Sequence, residues 1–254
     1  MGQLSGKKGL VVGIANEDSL AYGCARHFRQ AGADLAITYF NAKTEPFVRP
    51  LVGSLGHPIV MPCDVMAPGA LEAVYERIAR DWGQLDFALH SIAFAPKGDL
   101  HGRLTDCSAD GFTLAMQVSV HSFIRMARLA EPLMPCGGAL LAMSYYGAEK
   151  AVEHYNVMGP VKAALEAAVR YLAVELGPKH IRVNALSPGP VRTRAASGID
   201  QFDALLQRAL AAAPTHMPVT PDDVGAFAGF LVGDAAKAVT GNISYVDGGY
   251  HVLG

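Results

Sequence analysis

The stretch KKGLVVGIANEDSLAYGCARHFRQAGADLAITYF, residues 7–40, settles the architecture. Gly9, Leu10, Val11, Val12 and Gly13 make a short apolar run of the kind buried as a strand. Residues 20–31 read as a helix stopped by Gly32, and DLAITY at 34–39 is a second strand. Two strands separated by one helix within ~30 residues form a βαβ unit, so the strands are parallel and the crossover right-handed. The same alternation runs on through helix 44–55, strand 58–61, helix 71–82, strand 85–92, helix 111–134, strand 139–143, helix 155–176, strand 181–186, helix 222–232 and strand 243–246. The expected fold is therefore α/β, a Rossmann-type doubly wound parallel sheet of about seven strands with helices on both faces.

No linker or shift in composition interrupts the chain, which reads as one dinucleotide-binding domain over residues 1–254. The least regular stretch, about 187–218, opens with Ser187-Pro188-Gly189-Pro190, where two prolines oppose continuation of strand or helix. It also contains an Ala-rich segment at 205–213. An insertion at the carboxyl end of a strand in this architecture lies where ligands bind, so 187–218 is expected to be a substrate-binding loop and lid.

With 21 Lys+Arg against 23 Asp+Glu the net charge is −2, which excludes a protein built to neutralise nucleic acid or anionic lipid. A 51% hydrophobic and 17% charged composition supports a large core. No apolar run reaches the ~18 residues of a membrane-spanning helix. Cys24, Cys63, Cys107 and Cys136 have neither metal-ligand spacing nor the density of a disulfide framework, so reduced thiols and no metal are expected. The opening MGQLSGKKGLVVG lacks the apolar core of a signal peptide, pointing to a cytoplasmic protein.

The chemistry-bearing positions sit at strand ends. The first turn, Gly13-Ile14-Ala15-Asn16-Glu17-Asp18-Ser19-Leu20, is not a G-x-G-x-x-G fingerprint, yet it follows a strand and opens a helix as that mechanism requires. Its small residues would let backbone N–H groups approach a pyrophosphate; equally, Ser19 is a plain helix cap. Asp64 at the end of the third strand could accept a hydrogen bond from an adenine amino group or cap its own turn. Ile92 and Ala93 offer a small apolar surface near a ribose and nicotinamide. Tyr155 and Lys162 form a Tyr-x6-Lys pair, preceded ten residues earlier by Tyr145. A phenol with an ordinary pKa near ~10 needs a cation beside it to take part in proton chemistry at neutral pH. Lys162 can supply that field and can also hold ribose hydroxyls, although a lone lysine is as readily a solvated one.

These residues do not stand alone. SYYGAEK at 144–150, YNVMG at 155–159 with Lys162-Ala163, Gly177-Pro178, IRVNA at 181–185, GPVRT at 189–193, AASGI at 195–199 and VDGGY at 246–250 closely resemble the NADH-dependent enoyl-acyl carrier protein reductases. These are the bacterial type I enzymes of fatty acid synthesis, a divergent branch of the short-chain dehydrogenase/reductase superfamily. The likeness covers nearly the whole chain. Ordinary members of the superfamily use Tyr-x3-Lys, and the third residue after Tyr155 is Met158. The resemblance implies that Tyr155 hydrogen-bonds the thioester carbonyl, Lys162 anchors the cofactor ribose, and Tyr145 lies near the substrate. It implies a cofactor lined by Gly13, Ala15, Ser19, Leu20, Asp64, Val65, Ile92, Ala93, Val191 and Thr193, and an acyl pocket lined by Ala95, Leu100, Met158, Ile199 and Phe202. It further implies an enoyl-acyl carrier protein substrate and a homotetramer. Helices 111–134 and 155–176, apolar on more than one face, agree with subunit contacts.

Three features depart from the family pattern. Phe40 stands where a polar residue is common, Pro160 lies between Tyr155 and Lys162 as a helix-boundary marker, and APTHMP at 213–218 lacks the usual basic character. Tyr39-Phe40-Asn41-Ala42-Lys43 carries neither the acidic residue typical of NAD selection nor an Arg for a 2′-phosphate. NADH is the expected cofactor, with NADPH left open by Lys43. The alternative activity is that of a short-chain carbonyl reductase.

Overall fold

The computed structural model describes residues 2–194 and 196–253. Its sheet consists of β1 (Lys8–Val12), β2 (Asp34–Tyr39), β3 (Ile59–Pro62), β4 (Phe87–His90), β5 (Gly138–Met143), β6 (Ile181–Pro188) and β7 (Ile243–Val246). All neighbours pair parallel, in the order β3-β2-β1-β4-β5-β6-β7. The chain builds outward from β1 in one direction and from β4 in the other. The reversal between those two strands opens the crevice at their carboxyl ends where ligands bind in such sheets.

The five inner strands, β2, β1, β4, β5 and β6, bury both faces, while the edge strands β3 and β7 are half-buried; this is why the inner strands read as apolar runs without alternation. Leu10 and Val12 face one layer, with Leu71, Val74 and Ile78 of α3 (Ala70–Trp82) and Val161, Leu165 and Val169 of α7 (Met158–Leu176). Val11 faces the other, with Phe28 of α1 (Leu20–Gln30) and Val224, Ala228 and Leu231 of α9 (Pro221–Val232). Phe28 meets Phe87 edge-on, ring centroids 4.9 Å apart. α1 stops as expected at Gly32, whose φ of 103° is open to glycine; Gly32 N–H bonds Arg29 O and Ala33 N–H bonds Phe28 O, a Schellman closure. α1 and α9 approach backbone to backbone, because a Cβ on Gly23 would lie 2.4 Å from Pro221 O and one on Gly225 2.6 Å from Gly23 O. Overpacking of this kind costs ~1–3 kcal/mol, and each kcal/mol shifts the midpoint of a chain this size by ~2–4 °C. Gly23→Ala is therefore expected to lower the melting temperature by about 2–12 °C. An unchanged calorimetric midpoint would show that the two helices separate at no cost.

Four expectations need correction. Residues 44–55 are not one helix: α2 (Glu45–Val48) gives way to a 3-10 segment, Arg49–Leu55, with Pro50 near its start. A proline there has no N–H for the carbonyl four residues back, so the α ladder ends. Residues 111–134 form two α segments, α5 (Ala109–Met116) and α6 (Ser122–Ala130), joined by a wide π-type turn, Gln117–His121. That turn is tied to the end of β4: Ser119 Oγ accepts from Phe94 N–H at 3.1 Å, and Ser122 Oγ, which donates to Val118 O, accepts from His90 Nε2 at 2.7 Å. Burial holds the His90 pKa down to about 3, so the ring is neutral.

The helix expected from residue 155 begins at Met158. A start at Tyr155 would drive the Pro160 ring into the Asn156 carbonyl, whereas from Met158 the proline sits in the first turn. β6, finally, runs past the expected stop to Pro188. Its partner β5 has ended at Met143 opposite Leu186, so Pro188 leaves no ladder bond unmade on that side, while Gly189 N–H reaches Val246 O. Among the described residues the stretch after it contains one regular helix, α8 (Phe202–Ala212), and α4 (Lys97–Leu100) is a single turn with too little periodicity to read in advance. Among the described residues no helix is long and apolar enough to cross a membrane.

Candidate active site

The carboxyl ends of β4, β5 and β6, the start of α1 and the segment after β6 surround a cavity of about 770 Å³. Leu20, Ile92, Ala93, Ala95, Leu100, Tyr145, Tyr155, Met158, Lys162, Val191, Thr193, Ile199 and Phe202, all singled out in the sequence, line it. Gly13, Ala15, Ser19, Asp64 and Val65 do not form its wall.

The floor is set by the first turn. Gly13 has φ 112°, and a Cβ there would stand 2.4 Å from Ser91 O, so only glycine lets this turn lie against the end of β4. Ser19 occupies the residue before α1 but does not cap it; its hydroxyl donates back to Asn16 O at 2.7 Å and its carbonyl accepts from Tyr22 N–H, leaving the Leu20 and Ala21 N–H groups to other partners. Asn16 Oδ1 in the same turn is buried without a partner. Asp64 follows the turn reading: Oδ1 accepts from Met66 N–H at 2.9 Å. Val65 O accepts from Arg125 Nη1 at 2.8 Å, and Arg125 also pairs with Glu72 at 2.6 Å.

The reactive side chains come from the end of β5 and from α7. Tyr145 leaves β5 in extended backbone, and its ring meets that of Tyr155 edge-on with centroids 4.7 Å apart. Gly147 makes room, since a Cβ there would lie 2.4 Å from the Tyr155 ring. Tyr155 itself lies in the turn before α7, its N–H on Val152 O, and is 7% exposed. Lys162, in the second turn of α7, is 5% exposed and donates to Met143 O at 2.5 Å. Among the described residues that carbonyl is its one protein acceptor, leaving two further N–H groups of the ammonium for a ligand. One helical turn on, Glu166 accepts from Ser144 Oγ at 2.5 Å.

Electrostatics assign protonation states. Burial lowers the Lys162 pKa to about 8, against the opposing pull of Glu166, so the side chain is an ammonium at neutral pH. Burial, with Tyr145 and Glu166 adding to it, pushes the Tyr155 phenol up. Burial also pushes Tyr145 up, reinforced by Tyr250 and Tyr146. No pull from Lys162 offsets that burial, so the expected lowering of the Tyr155 phenol does not occur; both phenols are neutral, each keeping a hydroxyl proton to donate. Burial likewise raises Glu166, partly offset by the Ser144 hydroxyl.

The segment after β6 is held from two sides. His101 Nε2 is 2.7 Å from Gly198 O, and Asn156 Nδ2 donates to Leu100 O at 2.7 Å. α8 packs Phe202 and Leu205 with Ala196 against Val152 and is tied by Arg208 to Glu153 at 2.7 Å. Two site features were missed in sequence. Glu166 was readable, because it stands four residues from Lys162 on the same helix face. Arg194, on the cavity wall, had no local signal.

The donor set fits a dinucleotide: spare ammonium N–H groups, an open helix N-terminus, a turn that admits only glycine, and an orphaned buried amide oxygen. Known proteins agree. The sequence model of the Enoyl-(Acyl carrier protein) reductase family matches residues 13–251. The NADH enoyl-[acyl-carrier-protein] reductase of Aquifex aeolicus is 46% identical over 255 residues, spanning 100% of this chain and 94% of that protein. A crystal structure of the enoyl-(acyl-carrier-protein) reductase of Anaplasma phagocytophilum in complex with NAD superposes with a TM-score of 0.95 at 47% identity, covering 99% of this chain and 96% of that one. The Bacillus cereus enoyl-acyl carrier protein reductase, solved with NADP+ and indole naphthyridinone, gives a TM-score of 0.97 at 44% identity, with 100% of both chains covered. With matches of this extent, and with the Tyr-x6-Lys pair buried in a dinucleotide crevice, the chain belongs to the enoyl-(acyl carrier protein) reductase family.

Proposed function

We propose that this chain reduces the 2,3 double bond of trans-2-enoyl thioesters carried by acyl carrier protein, using NADH, and that Tyr155 and Lys162 carry the reaction. The observation that supports it most is the neutral Tyr155 phenol and the Lys162 ammonium buried together in one apolar cleft. NADH, when bound, would supply the hydride that adds to the β-carbon of the enoyl group, and a proton from solvent added to the α-carbon of the resulting enolate completes the reduction.

The Tyr155 hydroxyl donates to the thioester oxygen, where negative charge develops as the enolate forms. A preorganised donor in a water-poor site is worth most at that point. Tyr145 holds the Tyr155 ring edge-on and borders the substrate. Lys162, steadied by Met143 O, turns its remaining N–H groups to the ribose hydroxyls. Leu20, Ile92, Ala93, Val191 and Thr193 flank the nicotinamide arm, with Gly13, Ala15 and Ser19 behind the diphosphate and Asp64 and Val65 toward the adenine. Ala95, Leu100, Met158, Ile199 and Phe202 receive the acyl chain, and their apolar surface keeps water from the enolate. Tyr171 and Val174, both 79% exposed on α7, and the exposed Phe112 and Ile124 support association of copies into a homotetramer.

The activity is tested by loss of nicotinamide absorbance with crotonyl and longer enoyl thioesters, beside a 3-ketoacyl thioester. Turnover of the ketone alone would replace this reading with that of a carbonyl reductase. The Lys162 pKa gives a second check. The ribose contact uses the ammonium, so NADH affinity is expected to be level below pH about 8 and to weaken by up to ~tenfold per unit above it. A dissociation constant that stays flat through pH ~9.5 would remove Lys162 from the ribose.

A further inference from the structure

One arginine crosses the crevice. Arg194 belongs to the segment after β6, yet its guanidinium lies 5.6 Å from the centroid of the Phe47 ring on α2, the short helix after β2. In the sheet, β1, β4 and β5 stand between β2 and β6. At about 4.8 Å per strand the two elements are roughly 19 Å apart, so the segment must fold back over the strand ends for the contact to exist. Arg194 is at the same time part of the cavity wall, together with Leu20 at the start of α1 and Thr193. Phe47 is 55% exposed, so the contact is too solvated to serve mainly the stability of the fold. The neighbouring arginine is employed differently, since Arg192 turns to Asp203 of α8 at 2.6 Å and fastens the lid to its own helix.

We propose that Arg194 is a strap over the cofactor, its guanidinium steadied on the Phe47 ring and set against the diphosphate of NADH. A dinucleotide lying along this crevice runs from Lys162 past the start of α1 toward the end of β2, and the line from the Arg194 backbone to Phe47 passes over it. The diphosphate carries the negative charge common to NADH and NADPH, and a guanidinium is suited to bind it through paired N–H groups. This assignment deepens the NADH reading and rests on it. It also supplies, from a distant part of the chain, an arginine that residues 39–43 lack.

The test is the dissociation constant, read from nicotinamide fluorescence, of NADH and of NADPH for the unaltered protein, Arg194→Gln, Phe47→Ala and the control Arg192→Gln. Arg194→Gln is expected to weaken both cofactors by about tenfold and by the same factor, with a shallower salt dependence. Phe47→Ala is expected to weaken both by about threefold, because the ring steadies the cation without touching the ligand. Arg192→Gln should leave both constants unchanged. A loss confined to NADPH would move Arg194 to the 2′-phosphate and overturn the strap, as would unaltered constants in Arg194→Gln. If the unaltered protein bound neither cofactor, the NADH reading itself would fall, and this inference with it.

Discussion

Tyr155→Phe is expected to lower kcat by about 10²–10³-fold while changing the NADH dissociation constant by less than about threefold. The substitution deletes one hydroxyl and keeps the ring that meets Tyr145 and fills the space over Gly147. The loss should therefore appear in the chemical step and spare the melting temperature. The proposed donor acts as a neutral phenol, its pKa pushed upward by burial, so activity of the unaltered protein should show no step from phenol ionisation between pH 6 and 8. Single-turnover kinetics beside a fluorescence titration separates the two quantities. A Tyr155→Phe enzyme with full kcat would mean that another group faces the developing enolate.

The second large effect falls on binding. Lys162→Ala and Lys162→Met are each expected to weaken NADH by about 10–100-fold, from the loss of charge-assisted hydrogen bonds worth ~1.5–3 kcal/mol. Lys162→Met keeps most of the stem and so isolates the ammonium. Stability should move the opposite way. The folded-state pKa of about 8 lies below the ordinary 10.5, so burial disfavours the charged form, and between those two values the unfolded chain binds more protons. In this window the group's contribution to stability rises with pH, and below it the buried charge costs the apo-protein a constant amount. Lys162→Met is thus expected to melt at or above the temperature of the parent without cofactor and to gain less when NADH is added. A variant that binds NADH normally would overturn the ribose-anchor role, and one that melts lower without cofactor would show that the bond to Met143 O outweighs the cost of burial.

The sheet was legible because parallel strands buried on both faces carry a strong compositional mark. Residues 34–39 and 243–246 read from sequence with the limits they have in the fold. Helix limits were less legible, for reasons that lie outside their own periodicity. Pro50 and Pro160 act through the carbonyl four residues back, and the wide turn at Gln117–His121 is set by hydroxyl contacts with the end of β4. At the site, residues placed by strand ends were readable: Ile92, Ala93 and Tyr145 follow their strands directly. Asp64 had two sequence readings: its Oδ1 serves the backbone turn, and the adenine contact stands as part of the proposed function. Glu166 needed only the helical repeat from Lys162. Arg194 meets Phe47 because of the path of the loop after β6, which no local pattern encodes.

The start of α7 has a mechanical consequence. Because Pro160 holds that start at Met158, Tyr155 does not ride on the helix that carries Lys162; it is seated by the Val152 turn and by the gap that Gly147 leaves. The two groups thus stand on separate supports. Fraying or small rotation of α7 displaces the ammonium and leaves the phenol in register with Tyr145, whereas a side chain introduced at 147 displaces the phenol and leaves the ammonium on Met143 O. Drift acting on either support can therefore retune turnover or cofactor retention independently, a freedom denied to any arrangement that mounts both groups one turn apart on a single helix.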